Sequence, residues 1–342
     1  MGQQISDTDP VISELGIAKR VNNGAPILSR GNIPYDADCI FNAGVAFYGN
    51  EYIMIFRNDH GFDGKGSFTY CDLGIARSSD GIHFTANKKP FLSASDFTDP
   101  EIKRVYDPRL TVIDDKLYMC FAIDTRHGIC GGIARLLDPE ADTLEEKLEI
   151  LNITTPDNRN MVLFPEKIGG RYVRLERPFP VYSRGKDRFD IWISYSYDLC
   201  YWGDHKLLLT VEDVPFANDK IGPGAPPIRT DKGWLIVFHA VDRDDTRGKN
   251  GWEERWTKRY YAGAMLLDLE NPYKVLGAAK TPVLSPSTDY ELNTGYRTHV
   301  IFPGGILPCR EDPDNAMIYY GASDTVECAA VVNIEALISA CG

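Results

Sequence analysis

The stretch YDPRLTVIDDKLYMCFAID, residues Tyr106–Asp124, predicts a β-hairpin. Apolar residues alternate with other residues on both sides of Asp114–Lys116, which is the pattern of two half-buried strands joined by a tight turn. A carboxylate stands at each end, Asp107 where the first strand starts and Asp124 where the second strand ends. Because these ends of an antiparallel hairpin lie side by side, we expect the two carboxylates to meet at one edge of a sheet.

This unit of two strands and a tight turn, followed by further strands, recurs along the chain. The first two strands of the five units fall within residues 42–57, 107–124, 160–177, 222–239 and about 298–324. Five similar β-units with loops of variable length predict an all-β fold, a five-bladed β-propeller. A β-sandwich is the alternative architecture, but it does not account for polar residues at equivalent strand ends. Helix is predicted near Val11–Arg20, Thr143–Leu148 and Ile334–Ala340.

Composition restricts the partners of the chain. Its 342 residues carry a formal charge of −12, which argues against nucleic acid as a partner. No stretch approaches the roughly 20 apolar residues of a membrane span, so no membrane partner is expected. The eight cysteines form no Cys-x-x-Cys pair and favour free thiols in a reducing, cytoplasmic location. We expect a single domain, with residues 1–35 as an N-terminal extension and 36–342 as the propeller; a homo-oligomer is one of the open alternatives.

The ends of the innermost strands of a propeller surround its axis and line a common pocket. Here the starts carry Asn42, Asp107, Arg159, Asn160, Lys220 and His299, and the ends carry Arg57, Asp124, Arg177, His239 and Asp324. A convergent set of both charges is typical of a ligand site. The cationic and histidine positions of the third and fourth units predict an anion site, because guanidinium and ammonium groups bind phosphate oxygens. The alternative is that each arginine pairs with a nearby acid, such as Glu166 or Glu176.

Asp107 can be interpreted in two ways. It could be a general acid that faces the pocket, or a turn aspartate that caps backbone amides. Aromatic residues near the same edge could stack on sugar rings. They are Tyr106, Trp252, Trp256, Tyr260, Tyr261 and Tyr296. No nucleotide-binding or zinc-protease motif is present, so neither a nucleotide cofactor nor a metal is expected.

Five motifs, in order along the chain, carry a family resemblance. They are YDPR at 106–109, NRNMVLFPEK at 158–167, KIGPGAPPI at 220–228, GAMLLDL at 263–269 and YGASD at 320–324. The chain resembles glycoside hydrolase family 130 over about residues 24–340. Members of that family are inverting β-mannoside phosphorylases with a five-bladed propeller. The resemblance implies phosphorolysis of a β-1,4-mannoside to α-mannose 1-phosphate, with inorganic phosphate as co-substrate and no other cofactor.

The resemblance also implies residue roles. Asp107 matches the general acid. The implied phosphate ligands are Arg159, Asn160, Arg177, Lys220, His239 and Tyr260, and the expected contacts to the small-molecule sugar are Asn42, Arg57, Asp124 and Asp324. An acid must hold its proton at neutral pH, so we expect a raised pKa for Asp107, with Asp124 or Asp324 contributing by like-charge repulsion.

Three points stay open at the level of sequence. The acceptor could be glucose, N-acetylglucosamine or a manno-oligosaccharide, because the loops that would contact it, 124–130 and 242–258, depart from the common family pattern. The chain could instead be an inverting β-mannosidase in which Glu166 or Glu176 activates water. It could also be a carbohydrate-binding propeller without catalysis.

Overall fold

The strands form five antiparallel sheets, four of them built from consecutive segments of the chain and the fifth joined by a strand from the N-terminal region. This architecture comes from a computed structural model that describes residues 11–179, 189–247, 252 and 256–342. The predicted five-bladed β-propeller is confirmed, and the sandwich alternative is wrong. Within the described ranges, no helix has the length and apolar character needed to cross a bilayer.

The strands are numbered here in chain order, blade by blade. A short first strand, β1 (Ala18–Arg20), precedes the blades. Blade 1 contains β2 (Cys39–Tyr48), β3 (Glu51–Phe62), β4 (Phe68–Ser78) and β5 (Thr85–Ala86). Blade 2 contains β6 (Ile102–Ile113), β7 (Lys116–Thr125), β8 (Gly128–Leu136) and β9 (Leu148–Ile153). Blade 3 contains β10 (Asn158–Leu163), β11 (Tyr172–Pro178), β12 (Ile191–Ser196) and β13 (Trp202–Leu209).

Blade 4 has an interrupted innermost strand. It contains β14 (Lys220–Pro223), β15 (Ile228–Arg229), β16 (Trp234–Arg243), β17 (Lys258–Leu267) and β18 (Val275–Ala278). The prolines between β14 and β15 cannot donate to a strand ladder, which explains the break. Blade 5 contains β19 (Ile301–Pro308), β20 (Asn315–Ala322) and β21 (Val326–Asn333). The α-helices are α1 (Leu144–Lys147), α2 (Asp289–Leu292) and α3 (Ile334–Ala340), so the predicted helices near 143–148 and 334–340 are confirmed.

The N-terminal segment closes the ring of blades. Strand β1 pairs with β21 and becomes the outer strand of blade 5, so the helix predicted near Val11–Arg20 is wrong. The Nε of Arg20 also donates at 2.9 Å to Glu291 of α2, and that glutamate accepts a hydrogen bond from the hydroxyl of Tyr320 in blade 5. The open edge of the last blade supplies backbone partners that the local sequence does not reveal.

The turn of the opening hairpin follows from two aspartates. Asp114 and Asp115 have φ values of 49° and 57°, and Ile113 pairs with Lys116 across them. Two successive left-handed residues form the type I′ turn that matches the twist of a two-residue hairpin. Aspartate tolerates this conformation better than most side chains, so the predicted turn is confirmed.

The innermost strands of blades 1, 2 and 3 each contain a bulge close to their first residues. Asn42, Asp107 and Asn160 lie in these bulges with φ values of 55°, 51° and 57°. A bulge breaks the alternation of a strand and re-aims one side chain. The bulges therefore turn these polar side chains away from the directions that regular alternation along the strands would give them. In this arrangement Asn42 contacts Asp107.

The apolar core lies between the faces of neighbouring blades. Phe164 of blade 3 packs edge to face on Trp234 of blade 4, with ring centroids 5.2 Å apart. Comparable clusters of buried aliphatic side chains join blade 1 to blade 2 and blade 4 to blade 5. Burial of these faces stabilises the ring and leaves the axial strand ends for polar groups.

Candidate active site

The proposed general acid lies in a polar cage at the axis. Asp107 is in the bulge of β6, and its side chain is only 9% exposed. Nδ2 of Asn42 donates to Oδ1 of Asp107 at 3.0 Å, and Nη1 of Arg57 donates to the same oxygen at 3.4 Å. Three of the sequence-predicted site residues, from two blades, therefore meet here.

The two carboxylates of the opening hairpin do not face each other. The bulge shifts the register, so that Asp124 pairs with Arg104 and Tyr106 pairs with Ala122. Asp124 instead accepts a hydrogen bond from the hydroxyl of Tyr106 at 2.6 Å. The expectation that Asp107 and Asp124 meet is wrong. With Ile113 opposite Lys116, even a regular hairpin would place Asp107 opposite Ala122, and the bulge moves it one residue further from Asp124.

The expected raised pKa of Asp107 is also wrong. Burial raises the pKa of this carboxyl, but the charges of Arg57 and Arg109 and the hydrogen bond from Asn42 outweigh burial and hold it below its ordinary value. Among the predicted contacts to the sugar, Asp324 has a raised pKa, through burial first and with the charge of Asp107 contributing. Asp324 accepts a hydrogen bond from Arg297 at 3.2 Å.

Arg57 is held by several partners. Its Nε and Nη2 donate to the two oxygens of Asp59 at 2.9 and 2.6 Å. The guanidinium lies 4.7 Å from the ring centroid of Phe41 and 4.9 Å from that of Tyr106. This fork leaves Nη1 directed at Asp107, so Arg57 acts on the acid from a fixed position.

The predicted phosphate ligands form a second group, from blades 3 and 4. Nη1 of Arg177 donates to Nε2 of His239 at 3.1 Å. An arginine nitrogen only donates, so Nε2 carries no proton and His239 is neutral. Burial, followed by the charges of Arg177 and Lys220, lowers the pKa of His239 well below its usual range. The neutral form is therefore the stable one.

The cations of this group lack the acids that would neutralise them. Within the described part of the chain, Arg159, Arg177 and Lys220 form no ion pair with a carboxylate. Burial and the charge of Arg159 lower the pKa of Arg177 to about 9. Burial and the charge of Arg177 lower the pKa of Lys220 well below its usual range. Positive charge is thus concentrated at a buried position that disfavours it.

Several buried polar atoms of this group have no hydrogen-bond partner among the described residues. They are Nε of Arg159, Nε and Nη2 of Arg177, Oδ1 of Asn160 and Nδ1 of His239. Buried polar groups are nearly always satisfied in native structures, so such a cluster needs a ligand to explain it. Donors and positive charge together select an oxyanion.

Tyr260 borders the cationic group. Its ring lies 5.4 Å from Nζ of Lys220 and stacks on Trp256 at 5.8 Å. Tyr296 and Trp252 belong to a neighbouring aromatic cluster with Phe62. The grouping of Tyr261 with these rim aromatics is wrong, because its ring is fully buried in the core between blades 3 and 4. Of the predicted acceptor loop at 242–258, residues 248–251 and 253–255 lie outside the described residues.

The two glutamates that could serve a hydrolase are engaged elsewhere. Glu176 is buried and bound by Arg174 at 2.7 Å, His205 at 2.7 Å and Asn158 at 2.8 Å. Burial raises its pKa, but these partners outweigh burial and lower the pKa to about 2. Glu166 is exposed and pairs with Arg229 at 3.3 Å. Neither glutamate pairs with an arginine of the axial group.

Sequence reasoning assigned no role to two residues that shape the site. Arg109 is buried, and its guanidinium donates to the backbone carbonyls of Asn42 and Pro108 at 3.2 and 2.7 Å. Phe302 stacks on His239 at 4.5 Å. Arg109 belongs to the YDPR motif, so the signal was present, whereas Phe302 is one of many strand aromatics and carried none.

The described residues contain no group of three or more His, Cys, Asp or Glu side chains arranged to hold a metal ion.

Comparisons with known proteins agree with this arrangement. The sequence model of glycoside hydrolase family 130, described as β-1,4-mannooligosaccharide phosphorylase, matches residues 12–342. The chain is 36% identical to a β-1,2-mannobiose phosphorylase of Listeria innocua over 266 residues, which are 78% of this chain and 66% of the relative. It is 31% identical to a 1,2-β-oligomannan phosphorylase of a Thermoanaerobacter species, over 93% of this chain and 97% of the relative.

A solved structure extends the similarity to the fold. The Listeria innocua β-1,2-mannobiose phosphorylase in complex with β-1,2-mannobiose superposes with a TM-score of 0.74 and 28% identity. The superposition covers 97% of this chain and 98% of that chain. With a family match over nearly its whole length, the chain belongs to glycoside hydrolase family 130.

Proposed function

We propose that this chain is a phosphorylase that splits a β-mannoside with inversion, to give α-mannose 1-phosphate and a shortened acceptor. The observation that carries the proposal is the group of buried, acid-free cations with unsatisfied donors, adjacent to a single caged carboxyl. Its relatives are named as mannoside phosphorylases, and a glycoside phosphorylase activity follows from that relationship.

The reaction needs little from the protein beyond placement and charge. An oxygen of phosphate attacks the anomeric carbon while the bond from that carbon to the acceptor oxygen breaks. Arg159, Arg177 and Lys220 hold the anion and offset its charge, which lowers the entropic and electrostatic cost of the attack. The leaving oxygen takes a proton from Asp107, directly or through a mannose hydroxyl, and Asp107 becomes a carboxylate. Because phosphate is already a nucleophile, no second carboxylate is required.

Phosphate binding also favours the protonated form of Asp107. Arg159 is among the cations that hold its pKa down, and a bound phosphate dianion at Arg159 cancels that influence. A mannoside bound over Asp107 removes water and raises the pKa further. Protonation of Asp107 is then coupled to the presence of both substrates, so its carboxyl carries the proton when the leaving oxygen needs it.

Hydrolysis is the weaker candidate. An inverting hydrolase needs a second carboxylate that activates water. Glu176 is neutralised by three partners, and Glu166 is exposed beside Arg229. The same cations that suit phosphate give no advantage to neutral water.

The linkage is a separate part of the proposal. We expected a β-1,4 linkage from the sequence, and the description of the matching family favours it. Two relatives similar over most of this chain are named for β-1,2-linked substrates. We therefore propose β-1,2-mannobiose or a short β-1,2-oligomannan as the first substrate to test, and a β-1,4-mannoside as the second. We also propose a cytoplasmic enzyme that uses phosphate without a further cofactor.

One experiment tests these points together. The purified chain is incubated with β-1,2-mannobiose, β-1,4-mannobiose or 4-O-β-mannosylglucose, each with and without inorganic phosphate, and products are followed by ³¹P and ¹H NMR. We expect α-mannose 1-phosphate with one β-mannoside and only with phosphate. Free mannose at equal rates with and without phosphate would show a hydrolase. No product from any of the three would overturn the proposed activity on short β-mannosides.

A further inference from the structure

A buried glutamate of blade 5 reaches the active-site bulge of blade 1. Glu327 lies on β21, and its side chain is fully buried. Its Oε2 accepts a hydrogen bond from the backbone N–H of Ala43 at 3.1 Å, across 284 residues of sequence. Its Oε1 has no partner among the described residues. Such a carboxyl is costly to bury, so its presence calls for an explanation.

The environment of Glu327 keeps it close to neutrality. Burial raises its pKa to about 8, although the hydrogen bond from Ala43 and the charge of Arg109 act in the opposite direction. A protonated carboxyl still offers an oxygen that accepts from Ala43. The contact therefore does not depend on a charge.

Ala43 is the residue that follows Asn42 in the bulge of β2. Asn42 has a φ of 55° and donates from Nδ2 to Asp107 at 3.0 Å. Its carbonyl accepts from Nη1 of Arg109 at 3.2 Å. A peptide in this conformation needs its N–H and carbonyl fixed, and Glu327 supplies the partner for the N–H at Ala43.

The backbone beside Glu327 packs directly on the same bulge. Gly321 is the rung partner of Glu327 in blade 5. A Cβ at Gly321 would lie 2.8 Å from the backbone nitrogen of Asn42 and would clash with its side-chain oxygen. The bulge is thus seated against blade 5 by close packing and held there by one side-chain hydrogen bond, at the seam where the ring closes.

We propose that Glu327 is a positioning residue that fixes the Asn42–Ala43 bulge and, through Asn42, the orientation of the Asp107 carboxyl. The inference rests on the proposed function, in which Asp107 donates the proton. Glu327 touches no substrate in this scheme, and it acts on the proton-transfer step and not on phosphate binding. Its position on blade 5 makes the geometry of the acid depend on correct closure of the propeller.

The test compares three substitutions at this position in the full chain. Glu327→Gln keeps an acceptor oxygen for Ala43, and we expect kcat within about twofold of the wild type. Glu327→Leu removes the acceptor, and we expect kcat to fall about 30-fold while the KM for phosphate stays within about twofold. If Glu327→Leu does not fold, Glu327→Asp is used, because its side chain is one methylene shorter and moves the acceptor away from Ala43. We expect kcat to fall about fivefold while the KM for phosphate again stays within about twofold.

A matched control separates positioning from stability. Glu291 is equally buried but its carboxylate binds Arg20 and the hydroxyl of Tyr320, so Glu291→Gln should lower Tm and leave kcat unchanged below the melting range. A double mutant supplies the link through Asn42: in an Asn42→Ala background, Glu327→Leu should reduce kcat by less than twofold more.

Three results would overturn the proposal. Glu327→Leu could lower Tm while kcat stays at the wild-type value, or Glu327→Gln could lose as much kcat as Glu327→Leu. The fold-loss of kcat in the double mutant could also equal the product of the fold-losses in Asn42→Ala and Glu327→Leu, which would show that the two residues act independently. A wild-type chain that makes no mannose 1-phosphate would refute the proposed function and this inference together, whereas the three results above refute only the inference.

Discussion

Strand β11 shows two ways in which one chain buries arginine. Arg174 and Arg177 are three residues apart and equally buried. Arg174 pairs with Glu176 at 2.7 Å, and that glutamate also binds His205. Arg177 has only the neutral His239 as a hydrogen-bond partner among the described residues. The outer cluster of Arg174, Glu176 and His205 is satisfied within the protein, whereas the axial cluster of Arg177 and its neighbours keeps unsatisfied buried donors, which the proposed phosphate would bind.

The same contrast separates the carboxylates. Glu176 is bound by three partners and its pKa is lowered to about 2, so it is a permanent counter-charge. Asp107 lies among cations that include Arg159, whose influence on the pKa of Asp107 a phosphate at the proposed site would offset. A charge that is paired inside the fold serves stability, and a charge whose partner must come from outside serves binding or catalysis. The predictions below test this distinction.

The largest effect is expected at Asp107. Asp107→Asn should reduce kcat by about 10³-fold or more, because the amide cannot deliver the proton to the leaving oxygen. The measurement is the initial rate of mannose 1-phosphate release, with circular dichroism to verify the fold. Glu176→Gln is the matched control and should keep kcat within a few-fold at temperatures where it is folded. Equal loss in both variants would remove Asp107 from the role of acid.

Phosphate should stabilise the wild-type protein substantially. A ligand that binds only the folded state at 100 times its Kd raises the free energy of unfolding by about 2.7 kcal/mol. We therefore expect phosphate to raise Tm in thermal melts at constant ionic strength. Chloride at matched ionic strength is the control, and an equal response to both salts would contradict a specific anion site.

Loss of one axial cation should weaken phosphate binding selectively. Arg177→Met removes charge-assisted hydrogen bonds worth about 2 kcal/mol, so the KM for phosphate should rise about 30-fold and the KM for the mannoside much less. The same variant should be at least as stable as the wild type without phosphate, since an unpaired buried charge is gone.

Arg174→Met supplies the opposite result. It leaves Glu176 buried without its strongest counter-charge, and breaking such a pair costs about 3–5 kcal/mol. Its KM for phosphate should not change. If Arg177→Met destabilises the protein and Arg174→Met does not, the distinction between the two clusters is wrong.

The smallest effect concerns pH and the two histidines. Burial and nearby cations lower the pKa of His239 in the folded protein. Below pH 6.5, His239 therefore becomes protonated in the unfolded chain but stays neutral in the folded protein. Stability should therefore fall by up to about 1.4 kcal/mol per pH unit as pH drops below 6.5, and His239→Gln should flatten this slope in denaturant titrations.

His205 should behave with the opposite sign. Its hydrogen bond to Glu176 raises its pKa, so its contribution to stability is present below pH 6.5 and is lost as pH rises through the folded pKa. His205→Gln should remove that contribution on the acid side. Parallel slopes for the two variants would contradict the assignment of opposite environments.

Prediction from sequence succeeded where local pattern decides the outcome. Alternating apolar residues gave the blades, and the two aspartates at 114 and 115 gave the hairpin turn. It failed for the N-terminal segment, because β1 is a strand only by virtue of the open edge of β21. It failed for the Asp107–Asp124 pair because the two-residue turn sets a register in which Asp107 falls near Ala122, and a bulge with no strong sequence signal shifts that register by one more residue.

The sequence alone determined that this chain forms five β-units with polar strand ends, and its motifs placed it in a family. Only the tertiary structure decided which arginines are neutralised, that the pKa of Asp107 is lowered, and that Glu327 reaches the Asn42 bulge. The physical reason is distance along the chain. Alternation and turns arise between residues a few positions apart, whereas burial and charge pairing depend on groups brought together from different blades.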